Sequence, residues 1–276
     1  MAIRVIYTDL DGTMMGSGGC LFKDAGGEWT YEASNVLVEA LKSGVEVVIV
    51  SGRNRSQLRE AARVMGIRDY ISELGAEISY NQGKENVPLI GSFKTDGKSV
   101  YEAIKDRGVI EALFSRFGDT LEYHTPWSNE PRSYSHLLRG AVDVEKTNDW
   151  LAENGHMDLK LVDNGQLASR GERINDHIGV LHAYHLLPEA VDKAGAVRFD
   201  MERRGFAPGE TVALGDSWAD LSLAAVVGTF YLMKNGLEAD PTLAEAIKDI
   251  DNVVVSKRDK SLGWADSVND ALGQTP

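Results

Sequence analysis

The feature that most constrains this chain is a set of short apolar runs, each followed at once by a polar or acidic loop. The clearest runs lie at 3–8, 45–50 and 211–214; Asp9 and Ser51 directly follow the first two, and Gly215-Asp216 follows the third. Runs that are apolar on both faces are typical of parallel strands covered by helices on each side. The pattern therefore predicts an α/β fold with a Rossmann-like parallel sheet.

Stretches with helical spacing separate these runs, as a parallel sheet requires. Helices are expected at Glu32–Ser43, Gln57–Met65, Lys193–Arg204, Asp220–Val226 and the chain end, and further strands at Thr229–Leu232 and Asn252–Val255. Gly44 and Gly66 follow the first two helices, where glycine commonly ends a helix. The first and last thirds of the chain thus belong to the same sheet.

The pattern changes between Gly83 and His185. This segment predicts helices at Val100–Phe117 and Val144–Asn154 and strands at Thr120–His124, Ser133–Leu138, Asp158–Val162 and Gln166–Ser169. Asn164-Gly165 is a strong hairpin signal, which indicates an antiparallel pair. We therefore expect residues 84–185 to form an inserted α+β domain, and residues 1–83 and 186–276 to form a discontinuous core.

The charge balance limits the partners that the chain can bind. It carries 29 Lys and Arg against 42 Asp and Glu, a net charge of −13, which disfavours nucleic acid and anionic membranes. No apolar run reaches the roughly 18–20 residues of a membrane span. Cys20 is the single cysteine, so an internal disulfide is excluded and a cytoplasmic location is expected. Small molecules remain as ligands, and we expect a monomer or homodimer.

Acidic side chains are expected to meet at one edge of the sheet, because the carboxyl ends of parallel strands lie together. These acids are Asp9, Asp11, Asp216 and Asp220. Each alone is also a common turn or helix-cap residue. Together they bring a charge of about −4, which requires a cation or raised pKa values. Oxygen-only ligands favour Mg²⁺, and Lys193 is the nearest candidate for a positive side chain.

Four motifs in this order resemble the haloacid dehalogenase superfamily. Asp9-Leu10-Asp11-Gly12-Thr13 resembles its first motif, and Ser51 after the second strand resembles the second. Lys193 resembles the third motif, and the segment 215–220 resembles the acidic fourth. The insertion lies where this superfamily carries its type-two cap. Its pattern is similar to the Cof-like and sugar-phosphate phosphatases, among them the sucrose-phosphate and mannosyl-3-phosphoglycerate phosphatases.

The resemblance implies a role for each acid. Asp9 would be the nucleophile that forms an aspartyl-phosphate. Asp11 would protonate the leaving oxygen and then deprotonate the attacking water. Mg²⁺ would bind the Asp9 carboxylate, the Asp11 carbonyl and Asp216, while Asp220 would orient Lys193 or a metal-bound water.

The remaining motif residues would bind or support the phosphoryl group. Ser51, with Gly52 beside it, and Lys193 would hold the phosphoryl oxygens. Thr13 would support the first loop. The fourth motif differs from the family pattern at one position: relatives usually carry Asn before the second acid, and this chain has Ala219. That change removes a polar contact near the metal or Asp216 but no acid of the mechanism.

Specificity is expected to come from the cap. Arg170 and Arg173, in a polar loop, are the first candidates for substrate contact, and Arg53 beside Ser51 either reaches the substrate or forms an ion pair. The other cap candidates are His124, Arg132, Arg139 and Lys160. His182 and His185 are interpreted as structural, because residues three apart on a strand face opposite sides. Trp264 resembles a segment of mannosyl-phosphoglycerate-type phosphatases and is equally interpretable as a core aromatic.

We therefore expect a Mg²⁺-dependent phosphatase that hydrolyses a small phosphorylated metabolite, a sugar phosphate or a phosphorylated sugar acid. A phosphomutase, which returns the phosphoryl group to its substrate, uses the same residues and remains an alternative. A non-catalytic sugar-phosphate sensor is a further alternative from another functional class. A dehalogenase is disfavoured, since its chemistry does not use Asp11 or an acidic metal site.

Overall fold

The computed structural model describes residues 2–167 and 179–273, and the elements below lie within them. The strands are β1 (Val5–Thr8), β2 (Glu46–Val50), β3 (Asp69–Ser72), β4 (Glu77–Tyr80), β5 (Glu85–Pro88), β6 (Leu121–Tyr123), β7 (His136–Gly140), β8 (Leu159–Gln166), β9 (His182–Pro188), β10 (Thr211–Gly215), β11 (Thr229–Leu232) and β12 (Val253–Val255). The helices are α1 (Glu32–Lys42), α2 (Arg55–Met65), α3 (Val100–Asp106), α4 (Val109–Phe117), α5 (Val144–Glu153), α6 (Lys193–Arg204), α7 (Trp218–Leu221), α8 (Lys234–Ala239), α9 (Thr242–Ala246) and α10 (Lys260–Ala271).

The larger sheet has eight strands in the order β12-β11-β10-β1-β2-β3-β4-β5, and the six from β12 to β3 are parallel. Strand β1 lies at its centre and is buried along its whole length. Ile6 packs into an apolar cluster on one face, whereas Val5 and Tyr7 pack into a cluster on the other. Both faces are therefore covered, and the predicted α/β fold with a parallel sheet is confirmed.

Trp264 on α10 is fully buried beneath this sheet, and its indole nitrogen donates to the Thr8 hydroxyl at 2.9 Å. This burial supports the interpretation of Trp264 as an aromatic residue of the core. Within the parts of the chain that the structure describes, no helix is both long enough and apolar enough to cross a membrane.

The smaller sheet has four antiparallel strands in the order β6-β7-β9-β8. Helices α3, α4 and α5 contribute to its apolar core, which includes Ile104, Leu113, Leu138 and Leu186. Strand β5 pairs with β4 in the larger sheet, whereas β9 belongs to the smaller one. We therefore propose that the inserted domain begins after residue 88 and ends near residue 188, a few residues beyond each expected bound.

The helix expected at Asp220–Val226 is the short α7, which ends at Leu221 and is followed by a 3-10 turn at Ser222–Ala225. Two predictions for the inserted domain are also wrong. The expected helix Val100–Phe117 is two helices, because Gly108 adopts a left-handed conformation with φ 67° and is the N-cap residue of α4. The expected hairpin at Asn164-Gly165 is instead part of β8, which pairs with β9 and contains a register shift after Asp163. The Asp163 carboxylate accepts a hydrogen bond from the Gly165 amide at 2.8 Å, so the turn signal produces an irregularity inside one strand.

Candidate active site

The carboxyl edge of the larger sheet brings the predicted motifs together. Asp9 follows β1, Ser51 follows β2 and Asp216 follows β10, and these three strands are neighbours in the sheet. The parallel direction of the strands is the reason, since it places every strand end on the same side. Asp9 and Ser51 are both buried.

Lys193 lies between two of the acids. Its Nζ donates to Asp9 Oδ1 at 2.9 Å and to Asp220 Oδ1 at 2.5 Å, and only 1% of its side chain is exposed. It is the first residue of α6, whose N-cap Asp192 accepts from the Gly195 amide. Burial alone lowers the pKa of Lys193, but Asp220 and Asp9 outweigh it and raise that pKa above its ordinary value. The ammonium is therefore a fixed positive charge next to the proposed nucleophile.

The carboxylates around Lys193 form a group suited to a hard cation. Ligand oxygens of Asp9, Asp216 and Asp220 all lie within 4.8 Å of one another. Burial raises the pKa of Asp9 well above its ordinary value, and the charges of Asp220 and Asp216 add to this effect. Burial and the charge of Asp220 raise the pKa of Asp216 to about 7. One lysine thus does not balance these acids, and a divalent cation with oxygen ligands fits the donor set.

Within this group the acids have different partners. Asp220 Oδ2 accepts hydrogen bonds from the Ser217 hydroxyl at 2.6 Å and from the Ser217 and Asp216 amides at 3.1 and 3.2 Å. Asp220 therefore holds both the Lys193 ammonium and the loop that carries Asp216. Thr13 donates to Asp216 Oδ1 at 3.2 Å, in keeping with its expected supporting position.

Asp11 lies at the edge of this group and is paired with Arg53. The guanidinium donates from Nε and Nη2 to the two carboxylate oxygens at 2.7 and 2.6 Å. About half of the Asp11 side chain is exposed, whereas Asp9 is almost fully covered. The Arg53 amide also donates to Ser51 Oγ at 3.3 Å. Of the two sequence-based alternatives for Arg53, the structure contains the ion pair.

Asn235 is a site residue that sequence reasoning missed. Its Nδ2 donates to the Gly12 carbonyl at 2.9 Å and to Asp216 Oδ2 at 3.3 Å. It therefore supplies a polar contact to Asp216 of the kind that Ala219 lacks, while Ala219 packs against an apolar cluster that includes Leu187. Its position could have indicated this role, because Asn235 lies just after β11, whose carboxyl end is at the same edge of the sheet.

The cap approaches the second motif at Gly52. Arg132 Nη1 donates to the Gly52 carbonyl at 3.1 Å. A Cβ on Gly52 would lie 2.6 Å from Asn164 Nδ2 and 3.0 Å from His185 Nε2. Three cap side chains therefore meet at this one residue, and only a glycine leaves room for them there. Of these three, Arg132 was among the predicted substrate contacts, whereas the sequence analysis interpreted His185 as structural and Asn164 as part of a hairpin turn.

The other cap candidates divide by their partners. Arg139 is held by Glu122 at 2.5 Å. Burial, together with the charges of Arg139 and Arg132, lowers the pKa of His124 to about 4, so this ring is neutral at pH 7. His182 pairs with Asp163 at 2.7 Å, and Lys160 lies on β8. Arg170 and Arg173 lie outside the described residues.

Comparison with known proteins agrees with this geometry. The model of the haloacid dehalogenase-like hydrolase family matches residues 6–251. The chain belongs to this family. The family prediction, and with it the prediction of a hydrolase, is confirmed.

Individual relatives are distant but match over nearly their full lengths. A phosphoglycolate phosphatase from Metallosphaera sedula is 26% identical over 87% of this chain and 88% of its own. A glucosyl-3-phosphoglycerate/mannosyl-3-phosphoglycerate phosphatase from Persephonella marina is 25% identical over 96% and 95%. The fold of a Synechocystis sucrose-phosphatase, solved with sucrose and phosphate, superposes with a TM-score of 0.66 at 14% identity, covering 98% of each chain.

Proposed function

We propose that this protein is a Mg²⁺-dependent phosphomonoesterase that hydrolyses a small phosphorylated metabolite through an aspartyl-phosphate on Asp9. Its family and the relatives named as phosphatases make the chain a hydrolase of phosphoric monoesters. The observation that carries the proposed mechanism is the Lys193 ammonium, which contacts Asp9 at 2.9 Å inside a buried acidic group. A carboxylate held in this way can approach a phosphate dianion that would otherwise repel it.

The first chemical step uses Asp9 and Asp11. A carboxylate oxygen of Asp9 forms a bond to phosphorus while the bond from phosphorus to the ester oxygen breaks. Asp11 supplies the proton that the leaving oxygen takes. Both Asp11 carboxylate oxygens accept from Arg53, so at least one of them has to be released from Arg53 before Asp11 can donate to the leaving oxygen. We therefore interpret the ion pair as the resting arrangement.

The second step returns Asp9 to its starting state. Asp11, now a carboxylate, takes a proton from water, the water oxygen attacks phosphorus, and the bond between phosphorus and the Asp9 oxygen breaks. Lys193 and Ser51 hold the phosphoryl oxygens through both steps. Asp9, Asp216 and the Asp11 carbonyl would hold Mg²⁺, which when bound offsets the negative charge of the phosphoryl group.

We propose a sugar phosphate or a phosphorylated sugar acid as the substrate. Relatives over most of the chain are named for phosphoglycolate and for glycosylated phosphoglycerates, which are small phosphorylated acids. The cap residues next to Gly52 would contact the part of the substrate that lies beyond the phosphate.

Release of free phosphate from p-nitrophenyl phosphate and from a panel of phosphorylated metabolites tests this proposal. We expect hydrolysis with Mg²⁺, none with excess chelator, and recovery when Mg²⁺ is restored. Asp9→Asn should lower kcat/KM by about 10⁴-fold or more. Asp251→Asn, at an exposed position, is the matched control. A phosphomutase would instead need a bisphosphate activator and would release little free phosphate.

Metal binding has a readout that does not depend on turnover. Mg²⁺ should raise the melting temperature, because it offsets the repulsion among buried carboxylates, and at 100 times its Kd the gain in stability is about 2.7 kcal/mol. Asp216→Asn should weaken this shift, whereas Asp251→Asn should preserve it. An identical shift in the Asp216 variant would exclude Asp216 as a ligand.

A further inference from the structure

Arg132 is a buried cation at the junction of cap and core that the proposed mechanism does not use. Only 3% of its side chain is exposed. Its Nη1 donates to the Gly52 carbonyl at 3.1 Å and to the Ser135 hydroxyl at 3.3 Å. Its Nε is buried and has no hydrogen-bond partner among residues 2–167 and 179–273. Among the described residues, Nη1 of the guanidinium therefore has protein acceptors, whereas Nε has none.

The acid nearest Arg132 is already engaged elsewhere. Glu73 Oε2 lies 3.8 Å from Arg132 Nη1, longer than a hydrogen bond. That same oxygen accepts from the Tyr134 and Ser135 amides and from the Ser135 hydroxyl, at 3.2, 2.8 and 2.8 Å. Glu73 therefore fixes the segment that follows Arg132 and satisfies its charge only in part. Burying a cation and an unpaired N–H in this way is costly unless a ligand completes the pairing.

The groups around Arg132 link it to the reaction centre. His185 packs beside Gly52, and its Nδ1 lies 3.0 Å from the Ser135 hydroxyl. Burial, followed by the charges of Arg132 and Lys193, lowers the pKa of His185 well below its ordinary value. His185 is therefore neutral and lies within the electrostatic reach of both cations. Gly52, whose carbonyl accepts from Arg132, directly follows Ser51, so Arg132 lies next to the residue proposed to hold the phosphoryl oxygens.

We propose that Arg132, positioned by Ser135 and flanked by Asn164 and His185, binds the carboxylate of a phosphorylated hydroxy acid. The Nε and Nη2 of an arginine form a planar pair of donors that matches the two oxygens of a carboxylate. Among the described residues near Arg132, Arg139 is already paired with Glu122, and His124 and His185 are neutral, so Arg132 supplies the positive charge, which Glu73 at 3.8 Å offsets only in part. One charge suits a carboxylate better than a second phosphate dianion. The ester enters when the cap lifts, and the cap then encloses it.

This inference rests on the proposed function and narrows its substrate class. Two pairs of esters that differ only in the acid group test it: 2-phosphoglycolate against 2-hydroxyethyl phosphate, and 3-phosphoglycerate against glycerol 3-phosphate. We expect kcat/KM to favour the acid of at least one pair by about 10- to 100-fold, the range for a charge-assisted hydrogen-bonded pair. Arg132→Gln should reduce this preference by a similar factor, mainly through KM, and Arg132→Lys should recover part of it.

Arg107→Gln is the matched control, because Arg107 is a cap arginine paired with Asp158. It should leave the preference for the acid unchanged. If Arg132 only holds the cap on the core, Arg132→Gln will lower kcat/KM for both members of a pair by the same factor, and the inference is overturned. Equal kcat/KM for acid and alcohol in the wild-type protein, with p-nitrophenyl phosphate hydrolysed, overturns it as well while leaving the proposed function intact.

Binding to the Asp9→Asn variant separates the two proposals completely. Calorimetry should show tighter binding of 2-phosphoglycolate than of 2-hydroxyethyl phosphate, and loss of that difference in the Asp9→Asn/Arg132→Gln double variant. A selective binding result supports the subsite even if the wild-type protein hydrolyses no ester. Equal affinities for the acid and the alcohol overturn it.

Discussion

At the scale of single residues, the site depends on a buried lysine that neutralises acids which could not otherwise lie side by side. Lys193 contacts Asp9 and Asp220 at 2.9 and 2.5 Å, and all three side chains are at least 92% covered. Removal of one member of such a group leaves an uncompensated buried charge, which costs far more than the loss of a surface ion pair. The same lysine would stabilise the charge of the phosphoryl group during the reaction.

Lys193→Met should therefore lower both stability and activity. We expect a loss of about 3–5 kcal/mol in the free energy of unfolding, from the unpaired carboxylates. kcat should fall by about 10²–10³-fold. The double variant Lys193→Met/Asp220→Asn should recover part of the stability, since one charge is removed, but none of the activity. Denaturant unfolding and phosphate release measure the two effects, and a Met variant as stable as the wild-type protein would contradict this account.

At the scale of elements, the strand ends were predictable and the cap contacts were not. Asp9, Ser51 and Asp216 follow apolar runs, so the parallel sheet alone brings them to one edge. Strands β3 and β4 were not predicted, because they contain acids such as Asp69 and Glu77, which are buried in the fold and paired with Arg204 and Arg55. Such pairs join residues that are distant in sequence, so a local sequence pattern cannot predict them.

Strand β7 gives the protein a stability that depends on pH. His136 is fully buried, and its Nε2 lies 2.9 Å from the Tyr101 carbonyl. Burial lowers the pKa of His136 from 6.5 to about 4, although the hydrogen bond to Tyr101 opposes this effect. The unfolded chain therefore binds a proton at a higher pH than the folded chain. Stability from this residue is complete above pH 6.5 and is lost as the pH falls from 6.5 toward 4.

We expect acidification over this window to reduce the free energy of unfolding by about 1–3 kcal/mol through His136. His136→Gln, which keeps a donor for Tyr101, should make the dependence on pH shallower. Denaturant titrations at pH 7, 6, 5 and 4.5 would measure both slopes. Equal slopes in the two proteins would show that His136 takes up its proton over the same pH range in the folded and unfolded chains, and would contradict this prediction.

At the scale of the whole molecule, the cap contacts the core at Gly52 of the second motif and at Glu73, which follows β3. Glu73, on the core, accepts hydrogen bonds from the amides of Ser133, Tyr134 and Ser135. This contact could not be predicted from the sequence. Glu73 follows a strand of mixed polar and apolar residues, and the three groups that donate to it are backbone amides, which any residue type carries. The sheets and the motifs could thus be read from the sequence, whereas the arrangement that closes the site depends on tertiary packing.

Gly52→Ala tests whether this contact matters for turnover. The added Cβ would lie 2.6 Å from Asn164 Nδ2 and 3.0 Å from His185 Nε2, so these cap side chains would have to move away from Gly52. We expect kcat/KM to fall by about 10- to 100-fold, the size of effect that a small misplacement produces. Faster hydrogen exchange at the Ser133–Ser135 amides should accompany it. Gly26→Ala, in a loop of the core, is the control, and unchanged turnover in the Gly52 variant would refute a role for close contact.

The central claim, that phosphate is carried on Asp9, is tested most directly by trapping the intermediate. p-Nitrophenol is a good leaving group that needs no acid, so Asp11→Asn should still transfer the phosphoryl group to Asp9 but hydrolyse it slowly. After acid quenching and peptic digestion, mass spectrometry should find a phosphorylated peptide that contains Asp9 in this variant. The Asp9→Asn/Asp11→Asn double variant should give no such peptide. Phosphate found on another residue, or the same adduct in the double variant, would contradict the claim.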